Sequence, residues 1–129
     1  MKIYNLLKNN NYKDKNLIEK LICIFKNIKK EDLPNNFDKE ISNDILAIID
    51  KAYYEIFFDK KPLEYVLWYV EFNWKKYKVN ENTIIPRQET KFMIKEVEDY
   101  LKEEKEKIVL LDIWAWCWVL TLAVFSDYQ

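Results

Sequence analysis

Ile108-Val-Leu-Leu-Asp-Ile-Trp-Ala-Trp-Cys-Trp-Val-Leu-Thr-Leu-Ala-Val-Phe125 is the stretch on which the reading of this chain turns. Ile108 to Asp112 is a short apolar run closed by an acid, the pattern of a parallel strand buried on both faces. Val119 to Phe125 is apolar and holds good helix formers, so a helix is expected there. The strand-to-helix turn between them carries Trp114, Trp116 and Trp118. A bulky side chain on Cβ resists positive φ, and a tight turn of this kind ordinarily uses glycine. Glycine is absent from all 129 residues, although an average usage of ~7% would place roughly nine. Taken alone, the three tryptophans also fit a β-strand with one aromatic stripe, because alternate residues of a strand share a face.

Composition narrows the classes. Half of the residues are hydrophobic and a third are charged, the balance of a folded soluble chain rather than a disordered one. The length suits one domain, or a small domain plus part of another. Lysine and arginine total 21 against 22 acids, so no overall field recruits nucleic acid or a membrane surface. Arginine occurs once, at Arg87, and a phosphate- or base-reading surface would use more of it. Cys23 and Cys117 are far apart and histidine is absent, so neither a metal cluster nor a disulfide framework is expected, and a reducing cytoplasm is the default. The N-terminus lacks a signal-peptide core. The uncharged run Ile113 to Phe125 falls short of the ~20 residues of a membrane helix. Lysine (20), isoleucine (15), asparagine (12) and tyrosine (9) dominate; all have A/T-rich codons, which points to an A/T-rich gene.

Along the chain, residues 2–30 read as helical in two runs. Ile3, Leu6 and Leu7 share one face; after Asn9-Asn-Asn11, Leu17, Ile18, Leu21, Ile22, Phe25 and Ile28 recur at helical spacing, with Asp14 or Asn16 as the cap. Lys26, Lys29 and Lys30 suit a helix C-terminus and read as a solvated face. Leu33-Pro-Asn-Asn36 is a break. Ile41, Ile45, Ile48, Ile49, Ala52 and Ile56, widened by Tyr53, Phe57 and Phe58, mark a third helix. This bundle shows no polar constellation of its own. Pro62 opens a short helix over Leu63 to Leu67. Tyr69 to Phe72 and Lys75 to Val79 alternate like strands across Asn73-Trp74, where Asn-Gly would be the ordinary hairpin turn. Trp68 stands where a helix commonly ends on glycine. Ile84-Ile-Pro-Arg-Gln-Glu-Thr90 leads into a long helix with Phe92, Met93, Val97, Tyr100 and Leu101 as its apolar face, and 102–107 reads as a solvated tail.

Three segments carry a resemblance to a known family. Pro62-Leu-Glu-Tyr-Val-Leu-Trp-Tyr-Val-Glu-Phe-Asn-Trp74 resembles P-L-x-Y-I-x-G-x-x-E-F-x-G of the release-factor glutamine methyltransferases, the HemK/PrmC family. Val79-Asn-Glu-Asn-Thr-Ile-Ile-Pro-Arg-Gln-Glu-Thr90 resembles their V-x-x-x-V-L-I-P-R-P-E-T-E. Leu111-Asp-Ile-Trp-Ala-Trp-Cys-Trp118 resembles their S-adenosylmethionine loop, L-D-x-G-T-G-S-G. The helical first sixty residues match the family's N-terminal domain in position and character, and the specific part of the resemblance lies at 62–125. Each of the five tryptophans falls where the family has glycine; Gln88 and Lys91 replace its proline and glutamate. One hypothesis covers all five: the source organism reads UGA as glycine, and the sequence was translated with UGA as tryptophan. TGG codons at those positions would refute it.

With glycines restored, residues 112–118 read D-I-G-A-G-C-G. Such a loop lets backbone approach a ligand closely, and the helix start after it offers unpaired N–H groups to a carboxylate or phosphate. In the family that ligand is S-adenosylmethionine; a dinucleotide G-x-G-x-x-G would place its third glycine one residue later. The resemblance thus implies cofactor contacts from Asp112, Trp114, Ala115, Trp116, Cys117 and Trp118. Asp112 positions the loop or the cofactor's amino group, or caps backbone N–H groups at a strand end. Arg87 and Thr90 approach the cofactor, or Thr90 caps the helix. Cys117 is a small loop residue, since no histidine exists to activate a thiol. As written, three indoles would fill the cofactor's space, so little or no binding is expected of this polypeptide.

The expected fold is therefore α/β: a helical substrate-recognition domain over 1–60, a linker with a β-hairpin over 61–86, and the first strand-loop-helix of a Rossmann-like methyltransferase domain over 87–129. The family's catalytic N-P-P-Y, which grips the glutamine amide, would lie beyond Gln129, and a lone parallel strand needs partners, so the chain reads as an N-terminal fragment. The implied activity is methyl transfer from S-adenosylmethionine to the glutamine side-chain amide of peptide chain release factors, by direct displacement at a sulfonium methyl. The protein's task is then to position the amide nitrogen. A cytoplasmic monomer is expected, with a release factor as partner, no metal, no direct nucleic acid and no membrane. The alternatives are an adenine-N6 nucleic-acid methyltransferase, against which the scarcity of arginine and the segment 62–90 argue, and a non-catalytic helical interaction module.

Overall fold

A computed structural model describes residues 1–103, 109, 111–113 and 119–126. The chain divides into two compact units, Met1–Pro62 and Leu63–Gln129.

The first unit is helical. It comprises α1 (Ile3–Lys8), α2 (Lys15–Lys26) and α3 (Asn43–Phe57). Asp14, rather than Asn16, caps α2: its carboxylate accepts from the Leu17 N–H at 3.0 Å, satisfying one of the donors that every helix start leaves open. Asn27 ends α2 in the left-handed region at φ 52°, and its N–H reaches the Cys23 and Ile24 carbonyls. Asparagine is one of the few residues besides glycine that enters this region readily. The expected break at Leu33 to Asn36 consists of two 3₁₀ turns, Lys30–Asp32 and Pro34–Asn36, with the Asn36 side-chain amide donating to the Asp32 carbonyl at 2.6 Å. Lys2 and Glu40 form an isolated antiparallel bridge, and the Ile41 N–H donates to the Met1 carbonyl at 2.8 Å. The chain start is thereby tied to the segment entering α3.

Ser42 caps α3. Its buried stripe is Ile49, Ala52 and Tyr53, all on the expected face, while Ile48 and Phe58 at the edges of that face are exposed. Ile41 is buried but precedes the helix, held by the bridge rather than by helical periodicity. Ile3, Leu6, Ile18, Leu21, Ile22 and Ile49 are wholly buried, and each such side chain contributes about 1.5–3 kcal/mol of transfer free energy.

The second unit opens with α4 (Leu63–Leu67), followed by strands β1 (Tyr69–Phe72) and β2 (Lys75–Lys78), then α5 (Lys91–Glu103) and α6 (Val119–Ser126). The strands pair antiparallel, with Tyr69 opposite Lys78 and Phe72 opposite Lys75. Their inward face joins the core: Phe72 packs with Ile94 and Leu101 of α5 and with Val119, Ala123 and Val124 of α6, and Tyr77, Val97 and Leu120 close over them.

Two expectations are corrected here. The buried stripe of α5 runs through Ile94, Val97 and Leu101, whereas Phe92, Met93 and Tyr100 are exposed. The helix carries two apolar stripes, and α6 with the hairpin covers only the first. Of the parallel strand expected over Ile108 to Asp112, positions 108 and 110 lie outside the described residues, and the other three do not form one. Val109, Leu111 and Asp112 lie outside any strand, and Val109, Leu111 and Ile113 are exposed. A parallel strand is stable only with a hydrogen-bonded neighbour and covered faces, and the described sheet has just the two antiparallel strands of the hairpin.

Candidate functional site

The two tryptophans whose conformation is described both have the backbone of a glycine. Trp68 has φ 63° and Trp74 has φ 62°. Trp68 follows α4 directly, and its carbonyl accepts from the Val79 N–H at 3.2 Å, so this residue both ends the helix and starts the hairpin. Asn73, at φ 45°, and Trp74 form the two-residue turn between β1 and β2. Positive φ at both central positions is what a type I′ hairpin turn demands and what Asn-Gly supplies. A left-handed conformation costs a residue with a Cβ about 1–2 kcal/mol. Neither indole recovers this cost by burial: Trp68 is 66% exposed and Trp74 97%. Lys91 places its ammonium 5.7 Å from the Trp74 ring and 6.0 Å from that of Phe72, an exposed cation–π contact that contributes only about 0.5–1 kcal/mol.

Trp68, Lys78, Val79, Asn80 and Thr83 border an open depression of about 360 Å³. Its polar groups are largely engaged with one another. The Asn80 N–H donates to Thr83 Oγ1, which donates to the Asn80 carbonyl, both at 2.8 Å. The Tyr65 hydroxyl donates to the Thr83 carbonyl at 2.6 Å. The arrangement rigidifies the connection after the hairpin.

Of the sequence-predicted cofactor residues, Trp114, Ala115, Trp116, Cys117 and Trp118 lie outside the described residues. Asp112 is described. It is half-buried, and its Oδ2 accepts from the Thr121 hydroxyl at 2.7 Å. The acid therefore stands beside the first turn of α6, where a side-chain hydroxyl bonds to it. Arg87 is exposed and precedes the 3₁₀ turn Gln88–Thr90, which runs straight into α5. Thr90 thus sits within a continuous helical path, its N–H donating to the Arg87 carbonyl at 3.1 Å. The Gln88 side chain donates to the Glu71 carbonyl at 3.4 Å, linking the start of this helical path to β1.

Sequence reasoning missed a polar cluster in the helical unit. The Tyr12 hydroxyl donates to Asp50, and the Asp14 N–H donates to the Tyr53 hydroxyl at 2.8 Å. The Tyr12 and Tyr53 rings meet edge to face at 5.0 Å, and Tyr53 stacks on Phe57 at 5.3 Å. Burial, then the bond to Asp50, push the Tyr12 phenol well above its ordinary value of about 10. The four residues are scattered over forty positions, so no local spacing announces them. Cys23 is half-buried, and burial raises its thiol, the opposite of what a nucleophile needs. Among the described residues no group of His, Cys, Asp and Glu could hold a metal ion, and no helix is long and apolar enough to cross a membrane.

The chain is similar to a release factor glutamine methyltransferase. That protein, from Francisella tularensis subsp. tularensis, is 28% identical over 96 residues, covering 74% of this chain and 34% of the relative. The relationship is distant, and the chain spans about a third of the relative's length. No family model matches the chain.

Proposed function

We propose that this chain is the N-terminal part of an S-adenosylmethionine-dependent methyltransferase that acts on the glutamine side-chain amide of peptide chain release factors. The observation that carries the reading is the left-handed backbone at Trp68 and Trp74. Both residues fall where the resembling family has glycine, and both adopt a conformation that glycine alone enters without cost. The distant relative points the same way. The helical unit would recognise the protein substrate, and the cofactor would lie over 112–118, at the start of α6.

S-adenosylmethionine would supply the methyl group. The residues as written do not fit it: indoles at 114, 116 and 118 would occupy the space a backbone-lined cradle must leave open. With glycine at those positions the surrounding donors would suit the group. The half-buried Asp112 carboxylate stands at the helix start, and the first N–H groups of α6 have no intrahelical partners and can face a carboxylate.

The test is calorimetric titration of S-adenosylmethionine into the chain as written and into a version carrying glycine at 68, 74, 114, 116 and 118. Binding confined to the five-glycine chain supports the reading, and equal affinity of the two refutes the account of the tryptophans. The codons give a companion observation: TGA at all five positions is expected, and TGG would remove the basis for restoring glycine.

A further inference from the structure

We propose that the outer edge of β2 is a docking site for an extended acidic segment of another polypeptide, which adds to the hairpin as a third strand. The register fixes which backbone groups face outward. Tyr69 pairs with Lys78, Val70 with Tyr77, Glu71 with Lys76 and Phe72 with Lys75, and the Val79 N–H bonds inward to the Trp68 carbonyl. Bonded and non-bonded pairs alternate along an antiparallel ladder. Val70 with Tyr77 and Phe72 with Lys75 are therefore the bonded pairs, while Tyr69, Glu71, Lys76 and Lys78 turn their N–H and C=O groups to the two outer edges. On the β1 edge the Gln88 side chain donates to the outward Glu71 carbonyl at 3.4 Å. Along β2 the outward N–H and C=O groups of Lys76 and Lys78 have no partner among the described residues.

The side chains select the occupant. Lys76 and Lys78 are exposed and share the outer face of the hairpin with Tyr69 and Glu71, since alternate residues of a strand point the same way. Lys76 lies 3.5 Å from the Glu71 carboxylate and 4.5 Å from the centre of the Tyr69 ring, but an ion pair exposed on both sides contributes little and yields readily to another acid. Lys78 has no ion pair among the described residues. A second copy of β2 laid against this edge would set lysine beside lysine, and like charges placed opposite each other destabilise a sheet. Edge lysines ordinarily reject such pairing. The same charges accept a strand whose alternate side chains are carboxylates, because each acid then meets Lys76 or Lys78 across the ladder. Main-chain bonds supply the affinity in additions of this kind, and the alternate side chains supply the selectivity. A single-stranded nucleic acid is disfavoured, because Lys76 already covers the Tyr69 ring on which a base would stack. Past Lys78 the edge opens on the depression of about 360 Å³ bordered by Trp68, Lys78, Val79, Asn80 and Thr83, which leaves room for one further side chain of the segment. The site belongs to the hairpin alone and stands whether or not the chain binds S-adenosylmethionine.

The probe is a capped synthetic peptide, Thr-Glu-Val-Glu-Val-Glu-Thr, in which acids alternate with a strand former, titrated into the 129-residue chain. At saturation, amide hydrogen exchange should slow about 10-fold at Lys76 and Lys78 and stay unchanged at Tyr69 and Glu71 on the opposite edge. The double charge reversal Lys76→Glu/Lys78→Glu should weaken binding about 10-fold and make the lysine counterpart of the peptide the better ligand, a swap that only a folded hairpin can show. The acidic peptide N-methylated at its glutamates keeps the charge but cannot complete the ladder, so it should bind about 10-fold more weakly or not at all. Absence of binding by the acidic peptide would leave the lysines as a shield only and overturn the proposal. Equal binding of the N-methylated peptide would overturn it as well, by reducing the contact to charge alone. So would tighter binding of a single-stranded oligonucleotide at this edge, or protection of Lys76 and Lys78 that rises with protein concentration in the absence of peptide, which would make a second copy the occupant.

Discussion

At the scale of single residues, the informative feature is a conflict between side chain and backbone. Trp68 and Trp74 hold φ values of 63° and 62°, and Trp74 is almost wholly exposed, so packing does not compensate the strain. Trp74→Gly should raise stability against urea by about 0.5–1 kcal/mol, because relief of the left-handed cost outweighs both the lost cation–π contact and the extra freedom of an unfolded glycine. Trp74→Ala keeps the Cβ and should show no such gain, which separates strain from simple removal of an indole. Tyr12 gives a second prediction, this one in pH. Its phenol is held above the ordinary tyrosine value, so above about pH 10 the unfolded chain releases a proton that the folded chain keeps. The stabilisation from Tyr12 is complete below that pH and declines as pH rises further. Tyr12→Phe should show a shallower alkaline loss of stability in urea titrations between pH 9 and about 11, and parallel curves for the two proteins would overturn this assignment.

At the scale of elements, the sequence was legible wherever periodicity and caps agreed. The break after α1, the cap at Asp14, the short helix after Pro62 and the hairpin across Asn73-Trp74 follow from local chemistry, and local chemistry is visible in a string. The misreadings share another cause: they concern which face of an element finds a partner. Ile48 shares the broad apolar face of α3 with Ile49, Ala52 and Tyr53, yet those three are buried and Ile48 is exposed. On α5, Phe92, Met93 and Tyr100 are as apolar as Ile94, Val97 and Leu101, and only the presence of α6 decides between the stripes. Ile94→Ala should therefore cost about 2–4 kcal/mol in chemical denaturation, whereas Phe92→Ala should change stability by less than about 0.5 kcal/mol. Comparable losses would mean that the second stripe is covered in solution. The Asp112–Thr121 bond belongs to the same lesson. The acid was legible as a candidate, but its partner nine residues on lies beyond the motif, and only the path of the chain joins them.

At the scale of the whole molecule, both units leave some large apolar side chains exposed, and they differ in how their buried polar groups are served. Met1–Pro62 closes its core from three helices, two 3₁₀ turns and a bridge that secures the chain start. Its buried polar groups are served from within, as Tyr12 with Asp50 and Asn36 with Asp32 show. Leu63–Gln129 leaves Phe92, Met93, Tyr100, Val109, Leu111 and Ile113 in solvent, and the Tyr77 hydroxyl and one Glu98 oxygen are buried without a hydrogen-bond partner among the described residues. Unpaired buried polar atoms cost about 1–3 kcal/mol each, and a unit of this size has little stability in reserve. The parallel strand expected at 108–112 needs neighbours that the described residues do not supply. The two units should therefore differ in how each melts when made alone. A polypeptide of residues 1–62 is expected to melt cooperatively by circular dichroism at 222 nm and to bind no hydrophobic dye. Residues 63–129 alone should lose ellipticity without a sharp transition and should bind the dye while still helical. A sharp, dye-free melt of residues 63–129 would show that the exposed stripe of α5 and the residues around Asp112 need no further covering, and would count against placing this unit inside a larger α/β domain.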